Sequence, residues 1–272
     1  MKGTIIFAFI YIIFIFSAYA TNDNYPVGSR AAGMAGTAVM IPDLWANYHN
    51  QAALGFLKEL EIGIHHENRY IIDELSLSAI AAVIPTNSGN FGANISYFGY
   101  SQYHESKIGL AYSKSFADII SAGIQFDYLY TFVAEEYGNV GNIVFEAGIL
   151  AEPIKNLTLG FHVFNPTQTK NKKLNNEPIT TALRAGIGYS FQETAFIGAE
   201  LEHQIDQPST FRAGVEYQMI ENLFFRVGIN TEPREFSVGL GYHFQNLKAN
   251  IAFTNHQPLG ITPHFSVSYL FH

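Results

Sequence analysis

Five short stretches in the second half of the chain are nearly the same strand. In each, every second residue is apolar or aromatic, and the residues between are Gly, Arg, Glu, Ser or Asn. They are Phe145–Ile149, Leu183–Tyr189, Phe211–Tyr217, Phe225–Asn230 and Phe236–Tyr242. Period-two alternation predicts strands with two different faces. One face is apolar and the other is polar and rich in glycine, which is typical of an antiparallel β-barrel that faces lipid outside and a polar lumen inside.

The same alternation can be followed from Glu59 to the end of the chain. It divides into about fourteen segments near the roughly 10 residues that a membrane-spanning strand requires. We predict strands near 59–67, 74–84, 90–99, 106–114, 118–130, 142–151, 156–165, 181–191, 194–203, 210–219, 222–230, 235–245, 247–255 and 263–272. The last of these is rich in aromatic residues and resembles the C-terminal strand of outer-membrane proteins.

The composition favours a membrane barrel over the alternative, a soluble β-domain. Charged residues make up 14% of the chain, against about a quarter in ordinary soluble proteins. After residue 20, no apolar run reaches the roughly 18 residues of a membrane-spanning helix. High apolar content without runs of that length is what lipid-facing strands produce.

The connections between the predicted strands alternate in length. The shorter ones are 85–89, 115–117, 152–155, 192–193, 220–221 and 245–246, and the longer ones are 100–105, 131–141, 166–180, 204–209 and 255–263. Outer-membrane barrels have short periplasmic turns and longer outer loops. We therefore expect an even strand number, both termini in the periplasm, and location in the outer membrane of a Gram-negative-type bacterium.

The chain divides into three predicted parts. Residues 1–20 combine one basic residue, an uncharged apolar run and a terminal Ala-Tyr-Ala, which predicts a secretory signal peptide cleaved after Ala20. Residues 21–58 form an N-terminal plug or hatch segment, and residues 59–272 form the barrel. Residues 21–58 do not alternate and are dense in Gly and Ala, so they can pack closely inside a barrel whose inward-facing glycines leave room for them.

Charge and cysteine content exclude several classes of protein. Loss of the signal peptide, whose only charged residue is Lys2, changes the net charge from −8 to −9. A net negative charge argues against a nucleic-acid partner. The chain has no cysteine, so disulfides and thiolate catalysis are excluded.

The segment before the first strand resembles the entry motif of FadL-type outer-membrane barrels, which PorV/PorQ-like proteins of type IX secretion share. The matching residues are Gly28, Arg30, Gly33, Gly36, Asp43, Asn50, Gln51, Ala52, Ala53 and Leu54. Gln51 stands where the family usually has Pro, and Ala53 where it usually has Gly. The chain is shorter than FadL transporters, so it is more similar to the compact PorV/PorQ-like group, whose members are implied to act in protein export and surface attachment.

Charged residues also fall on the predicted inner face of neighbouring strands. They are Glu146, Arg184, Glu200, Arg212, Glu216 and Arg226. Charges inside a membrane structure must be paired or hydrated. These residues predict a polar network in the lumen that fixes strand register and the plug; a path or seat for a polar ligand is the alternative. Inward apolar residues at Leu150, Phe164, Phe196 and Phe224 are expected to pack against the plug or to line an apolar pocket.

No motif predicts enzymatic activity, a metal site or a cofactor. The histidines at 65, 66, 104 and 256 are expected near the outer ends of strands, facing water. They show no paired-histidine metal spacing, and neither H-E-x-x-H nor G-x-S-x-G is present. The catalytic and metal-binding sets are therefore predicted to be empty.

Two functional hypotheses follow, and neither involves catalysis. The first is a PorV/PorQ-like component linked to type IX protein secretion, and the alternative is a FadL-like channel for hydrophobic compounds such as fatty acids and aromatics. An unspecialised structural barrel and a hydrolase at the rim are weaker hypotheses. The expected partners are outer-membrane lipid and either secretion-system proteins or a hydrophobic small ligand. A channel should have an apolar path from the outer rim, whereas an export partner should have a sealed lumen and exposed aromatic residues on its loops. Six aromatic residues are candidates for such a surface, or for an interfacial aromatic girdle. They are Tyr97, Tyr100, Tyr103, Tyr130, Phe132 and Tyr137.

Overall fold

The computed structural model describes residues 26–134, 138–171, 177–192, 194–205 and 207–271. The predicted signal peptide and its cleavage position lie outside the described residues. Among the described residues, no helix is long and apolar enough to cross a membrane.

Fourteen antiparallel strands form a closed barrel, which confirms the predicted fold class. The barrel strands are β1 (Leu60–Asn68), β2 (Ser76–Thr86), β3 (Gly89–Gly99), β4 (Tyr103–Phe116), β5 (Ile120–Val133), β6 (Gly138–Ile154), β7 (Leu157–Phe164), β10 (Ala182–Phe191), β11 (Ala195–Gln204), β12 (Thr210–Ile220), β13 (Leu223–Thr231), β14 (Arg234–Phe244), β15 (Leu247–His256) and β16 (Gly260–Phe271). Two short strands, β8 (Lys170–Asn171) and β9 (Glu177–Pro178), pair with each other in the connection between β7 and β10. The barrel closes because β1 pairs with β16.

Strand β12 shows how the alternation in sequence becomes two faces in space. Phe211, Val215 and Tyr217 are 44%, 36% and 50% exposed on the outer wall. Arg212 and Glu216, on the same strand, are buried on the inner wall. Because side chains on a strand point to opposite faces in turn, the outer wall is a continuous apolar band and the inner wall is polar.

The turns at the two ends of the barrel differ in length. At one end, here the short-turn end, every connection has two or three residues: 87–88, 117–119, 155–156, 192–194, 221–222 and 245–246. The opposite end, here the long-loop end, carries 69–75, 100–102, 134–137, 165–181, 205–209, 232–233 and 257–259. Several connections at the long-loop end are shorter than predicted because the strands continue further, and β13 and β14 are joined by only two residues.

Residues 26–58 lie inside the barrel and are here called the luminal segment. It contains the helix α1 (Ser29–Gly33) and two 3₁₀ helices, Leu44–Tyr48 and Gln51–Phe56. Its apolar side chains form the main hydrophobic core together with inward residues of the wall such as Leu150. The core of this protein is therefore the lumen, because the outer wall carries the exposed apolar band.

Candidate functional site

Two polar residues of the entry motif begin the two 3₁₀ helices of the luminal segment. The Asp43 carboxylate accepts a hydrogen bond from the Trp45 amide at 2.9 Å. The Asn50 side-chain oxygen accepts one from the Ala52 amide at 3.2 Å. Asp and Asn are favoured at such positions because their short side chains satisfy free N–H groups at the start of a helix. Both positions therefore have a local structural role.

Arg30 connects the luminal segment to the wall. Its guanidinium donates to both carboxylate oxygens of Glu216, at 3.0 Å from Nε and 2.7 Å from Nη2, and reaches Asp43 at 3.4 Å. Glu216 also accepts from Arg226 Nε at 2.5 Å, and Arg226 in turn donates to Asn250 at 2.8 Å. Two-point arginine–carboxylate pairs fix orientation as well as charge, so the start of the luminal segment is held in one position.

A second wall contact holds the backbone of the luminal segment. Glu200 Oε2 accepts hydrogen bonds from the Ala38 and Val39 amides at 2.8 and 2.9 Å. Its other oxygen lies 3.3 Å from Arg212 Nη1, which also donates to Glu202 at 2.8 Å. Glu202 completes this cluster by accepting from Arg184 Nε at 2.7 Å. The carboxylates are thus compensated by arginines and by the amides of the luminal segment.

A third contact holds the end of the luminal segment. Glu146 accepts from Gln51 Nε2 at 2.6 Å and from Lys107 Nζ at 2.5 Å. His162 Nε2 lies 2.9 Å from the same carboxylate, and Lys107 also lies 3.5 Å from Asp127. FadL-type barrels usually have Pro at the position of Gln51. In this chain, the side-chain amide of Gln51 binds Glu146.

The six charged residues expected in the lumen therefore fall into three clusters, centred on Glu216, on Glu200 with Glu202, and on Glu146. Each cluster binds a different part of the luminal segment. Sequence reasoning missed the wall residues Lys107, Asp127, His162 and Glu202. All four occupy positions that the period-two alternation predicts to face inward, and this alternation is the signal that could have identified them. They fall outside the five repeated stretches.

Glycines on the inner wall allow the luminal segment to touch the strands. A Cβ at Gly228 would lie 2.2 Å from the carbonyl carbon of Met34, and one at Gly148 would lie 2.0 Å from Asn50 Oδ1. The register also places Gly228 opposite Gly214, and Gly214 opposite Gly198, in a row across three strands. Larger side chains at these close approaches would push the segment out of the lumen.

Of the four inward apolar residues, Leu150 and Phe196 pack against the luminal segment, whereas Phe164 lies in a separate cluster with Leu129, Val144, Ile179 and Ala182. Leu150 and Phe164 are 1% exposed, and Phe196 packs against the core that contains the luminal segment. Phe224 lies under the Arg226 guanidinium, whose carbon is 5.8 Å from the ring centre. These residues fill space on the inner side of the wall.

A cavity of about 560 Å³ opens between the luminal segment and the long-loop end. Its floor includes Pro26, Ala32 and Gly36 of the luminal segment. Its sides carry apolar groups such as Leu75 and Phe98. The polar lining residues include Glu67, Arg69, Glu202, Arg212, Glu232, Glu235 and His264. The cavity is therefore a charged vestibule with an apolar side.

Aromatic residues cluster at the long-loop end. The ring of His104 stacks between those of Tyr97 and Phe132, with ring centres 5.1 and 4.9 Å apart. The side chains of Tyr97 and Tyr100 are 42% and 40% exposed. Tyr137 lies outside the described residues. This placement fits an interfacial girdle.

The expectation that His65 faces water was wrong. His65 lies within β1 and is 3% exposed, because alternate side chains of that strand point inward and His65 is one of them. Its neighbour His66 points outward and lies 3.0 Å from Ser78 Oγ. One position along a strand reverses the face, so two adjacent histidines occupy opposite sides of the wall.

Comparisons with known proteins identify the fold. No protein-family model and no curated protein sequence matches the chain. Among solved structures, the Ralstonia pickettii toluene transporter TbuX is 13% identical with a TM-score of 0.70, covering 90% of this chain and 98% of that one. The P. putida toluene transporter TodX is 12% identical with a TM-score of 0.68, covering 92% and 100%. A Pseudomonas aeruginosa FadL homologue is 16% identical with a TM-score of 0.60, covering 91% and 99%.

These similarities cover 90 to 92% of the chain and show that it has the fold of FadL-type outer-membrane barrels. At identities of 12 to 16% they show the fold alone. None of these three structures is a PorV/PorQ-like protein.

Proposed function

We propose that this protein is an outer-membrane channel for small hydrophobic compounds and has no enzymatic role. The solved structures with this fold include two named as toluene transporters. The observation that carries the proposal is the vestibule of about 560 Å³ in front of the luminal segment. Its volume lies within the roughly 300–1,000 Å³ range of small-molecule sites.

The lining of the vestibule suits the capture of an apolar molecule near a polar entrance. Leu75 and Phe98 offer apolar contact on one side. Phe98 is held in place by Arg69, whose guanidinium carbon is 4.6 Å from the centre of the ring. Both arginines of the lining are engaged in ion pairs, Arg69 with Glu67 and Arg212 with Glu202, so they favour a ligand that brings no charge of its own.

Passage through the barrel requires the luminal segment to move. Val39, Met40 and Leu54 of this segment have no exposed surface, so packed side chains occupy the lumen between the vestibule and the short-turn end. The three carboxylate clusters hold this closed arrangement. We propose that a ligand in the vestibule acts by displacing the segment at one of these clusters.

The orientation follows from the same proposal. The long-loop end and its vestibule face the exterior, and the short-turn end, where β1 begins and β16 ends, faces the periplasm. This matches the arrangement of short periplasmic turns and longer outer loops in outer-membrane barrels.

A reversible lock between the segment and the wall tests the proposal. Ser29 and Ser266 are near-isosteric with cysteine, and the Ser29 amide lies 3.3 Å from Ser266 Oγ. Because the chain has no cysteine, the double variant Ser29→Cys with Ser266→Cys introduces one defined disulfide. Uptake of radiolabelled toluene and oleate is measured in Gram-negative cells that express each form.

The expected result is uptake by the native chain and by the reduced double variant, with loss on oxidation and recovery on reduction. Each single cysteine variant serves as the control for oxidation itself. Uptake no greater than in cells without the protein would contradict the channel proposal. In that case, affinity isolation from native membranes that recovers secretion-system proteins would support the PorV/PorQ-like hypothesis instead.

A further inference from the structure

Three ionisable residues meet on the inner wall where the barrel closes. The pairing of β1 with β16 places Glu67 directly opposite His264, and His65 lies two residues before Glu67 on the same inward face. All three are buried, with exposures of 3%, 6% and 3% for Glu67, His264 and His65. None of them belongs to the three clusters that hold the luminal segment.

Their donor atoms are spaced like the ligands of a metal ion. Glu67 Oε2 lies 3.3 Å from His65 Nε2 and 3.0 Å from His264 Nδ1. The three donor atoms all lie within 4.8 Å of one another. Tetrahedral zinc, with bonds of about 2.0–2.1 Å to nitrogen and oxygen, has ligand atoms about 3.3 Å apart. The two distances from Glu67 Oε2 to the histidine nitrogens are therefore close to the distances between ligand atoms in such a site.

The surroundings orient two of these donors. Arg69 Nε donates to the other oxygen of Glu67, Oε1, at 2.7 Å, which leaves Oε2 directed at the histidines. His264 Nε2 lies 3.1 Å from Thr254 Oγ1. A hydrogen bond at one ring nitrogen fixes the other as the ligand, which is the usual support of a metal-binding histidine.

His65 is fully buried, and one of its ring nitrogens is unsatisfied within the part of the chain that the structure describes. Its side chain has no exposed surface, and its ring lies edge-on to Trp45 with centres 5.7 Å apart. Among the described residues, its Nδ1 atom has no hydrogen-bond partner. A buried imidazole with an unsatisfied nitrogen is costly, and its other nitrogen, Nε2, faces Glu67 Oε2 at 3.3 Å, where a metal ion would bind it.

The site can be reached from the vestibule. Glu67 and His264 both line the cavity at the long-loop end, together with Arg69 and Thr254. An ion entering from this mouth reaches the carboxylate and one imidazole directly. Three protein ligands leave a further position of a tetrahedral ion for water or another small ligand.

We propose that His65, Glu67 and His264 form a binding site for a divalent transition metal ion of the zinc type. Two imidazoles with one carboxylate favour zinc and its neighbours over calcium or magnesium, which prefer oxygen ligands. The site joins the first and last barrel strands, so the ion also stabilises the closing seam. This inference goes beyond the channel proposal and does not depend on it.

Zinc and cobalt binding to the purified full-length barrel, without a histidine tag, tests the site. The adjacent histidines provide a matched pair of variants, because His65→Gln removes an inward ligand and His66→Gln removes an outward imidazole from the same strand. His264→Gln tests the partner strand. Retained zinc per barrel is measured by elemental analysis after dialysis, and Co²⁺ is added to metal-free protein to record its visible absorption.

We expect one zinc ion per barrel and an intense, tetrahedral-type cobalt spectrum in the native protein and in His66→Gln. His65→Gln and His264→Gln should each weaken zinc affinity by at least about 10-fold, since loss even of an outer-shell partner costs roughly that much. Zinc should also raise the temperature at which the native barrel loses its compact electrophoretic form, because a ligand that binds only the folded state stabilises it.

Several outcomes would overturn the proposal. Native protein that retains no zinc and gives only the weak spectrum of hydrated cobalt contradicts it without any variant. Equal affinity in His65→Gln and native protein, or loss of binding in His66→Gln alone, would place the ion on the surface. Because the cobalt spectrum of the native protein is itself decisive, a variant that fails to fold does not leave the question open.

Discussion

Arg30 and Glu216, 186 positions apart in the chain, form a two-point ion pair that ties the luminal segment to strand β12. The Glu216 side chain is 9% exposed and that of Arg30 is 27% exposed. On its other side, Glu216 neutralises Arg226, whose side chain is 1% exposed. One carboxylate therefore compensates two arginines, one from the segment and one from the wall.

Removal of this carboxylate should release the start of the luminal segment. Glu216→Ala leaves both arginines without their shared partner, and breaking a buried pair in this way costs about 3 kcal/mol or more. Local opening at Arg30 should become on the order of 100-fold more frequent. The rate of trypsin cleavage at Arg30 in the folded barrel, followed by mass spectrometry, measures this change.

The surface pair Lys58–Asp118 offers a matched control for that experiment. Its side chains are 71% and 76% exposed, and exposed pairs contribute little to stability. Asp118→Ala should therefore leave cleavage at Arg30 unchanged. If Glu216→Ala and Asp118→Ala are cleaved at the same rate, the ion pair does not hold the segment.

A larger side chain at position 228 should displace the luminal segment without preventing barrel formation. A Cβ there would lie 2.2 Å from a backbone atom of Met34, so Gly228→Leu cannot coexist with the seated segment. We expect higher single-channel conductance in planar lipid bilayers than for the native protein. Ala213→Leu is the control, since Ala213 precedes Gly214 and faces outward on the neighbouring strand; native-like conductance in Gly228→Leu would argue that the segment tolerates the clash.

A charge on the outer wall should destabilise the barrel according to its depth. Val215 lies in the middle of β12 and faces outward, whereas Met219 lies on the same face near the short-turn end. We expect Val215→Arg to lower the free energy of unfolding by about 2–4 kcal/mol and Met219→Arg by about 0–1 kcal/mol. Urea-induced unfolding in lipid vesicles measures both, and equal losses would contradict a lipid-facing outer wall.

Fractionation tests the predicted location. The protein should be recovered with outer membranes, migrate differently on gels before and after heating, and begin after Ala20. Mass spectrometry of the mature N-terminus provides the last of these measurements. Recovery in the soluble periplasm would contradict location in the membrane.

The sequence predicted the fold because its signal is local and periodic. All fourteen barrel strands were predicted to within a few residues, since alternation of period two reports which face of a strand meets lipid. The predicted order of turns agrees for the connections 69–75, 134–137, 165–181 and 205–209, but 100–102, 232–233 and 257–259 at the long-loop end are no longer than the short turns. The N-terminal boundary lies outside the described residues and remains a prediction.

The sequence indicated less about the residues in the lumen. It identified Arg30 and Glu216 separately, as part of an entry motif and as an inward charge, but not as partners. It found no paired histidines because His65 and His264 lie at opposite ends of the chain. Its comparison with PorV/PorQ-like proteins rested on chain length and the entry motif, whereas the structures with this fold include toluene transporters.

The sequence by itself therefore determined the strands, their two faces and the glycine positions that a luminal segment needs. Only the tertiary structure decided which inward groups meet: Arg30 with Glu216, Gln51 with Glu146, and Glu67 with His264. The physical reason is that a strand's faces are fixed by its own alternation. Contacts across the lumen and across the closing seam depend instead on strand number, register and the path of the enclosed segment.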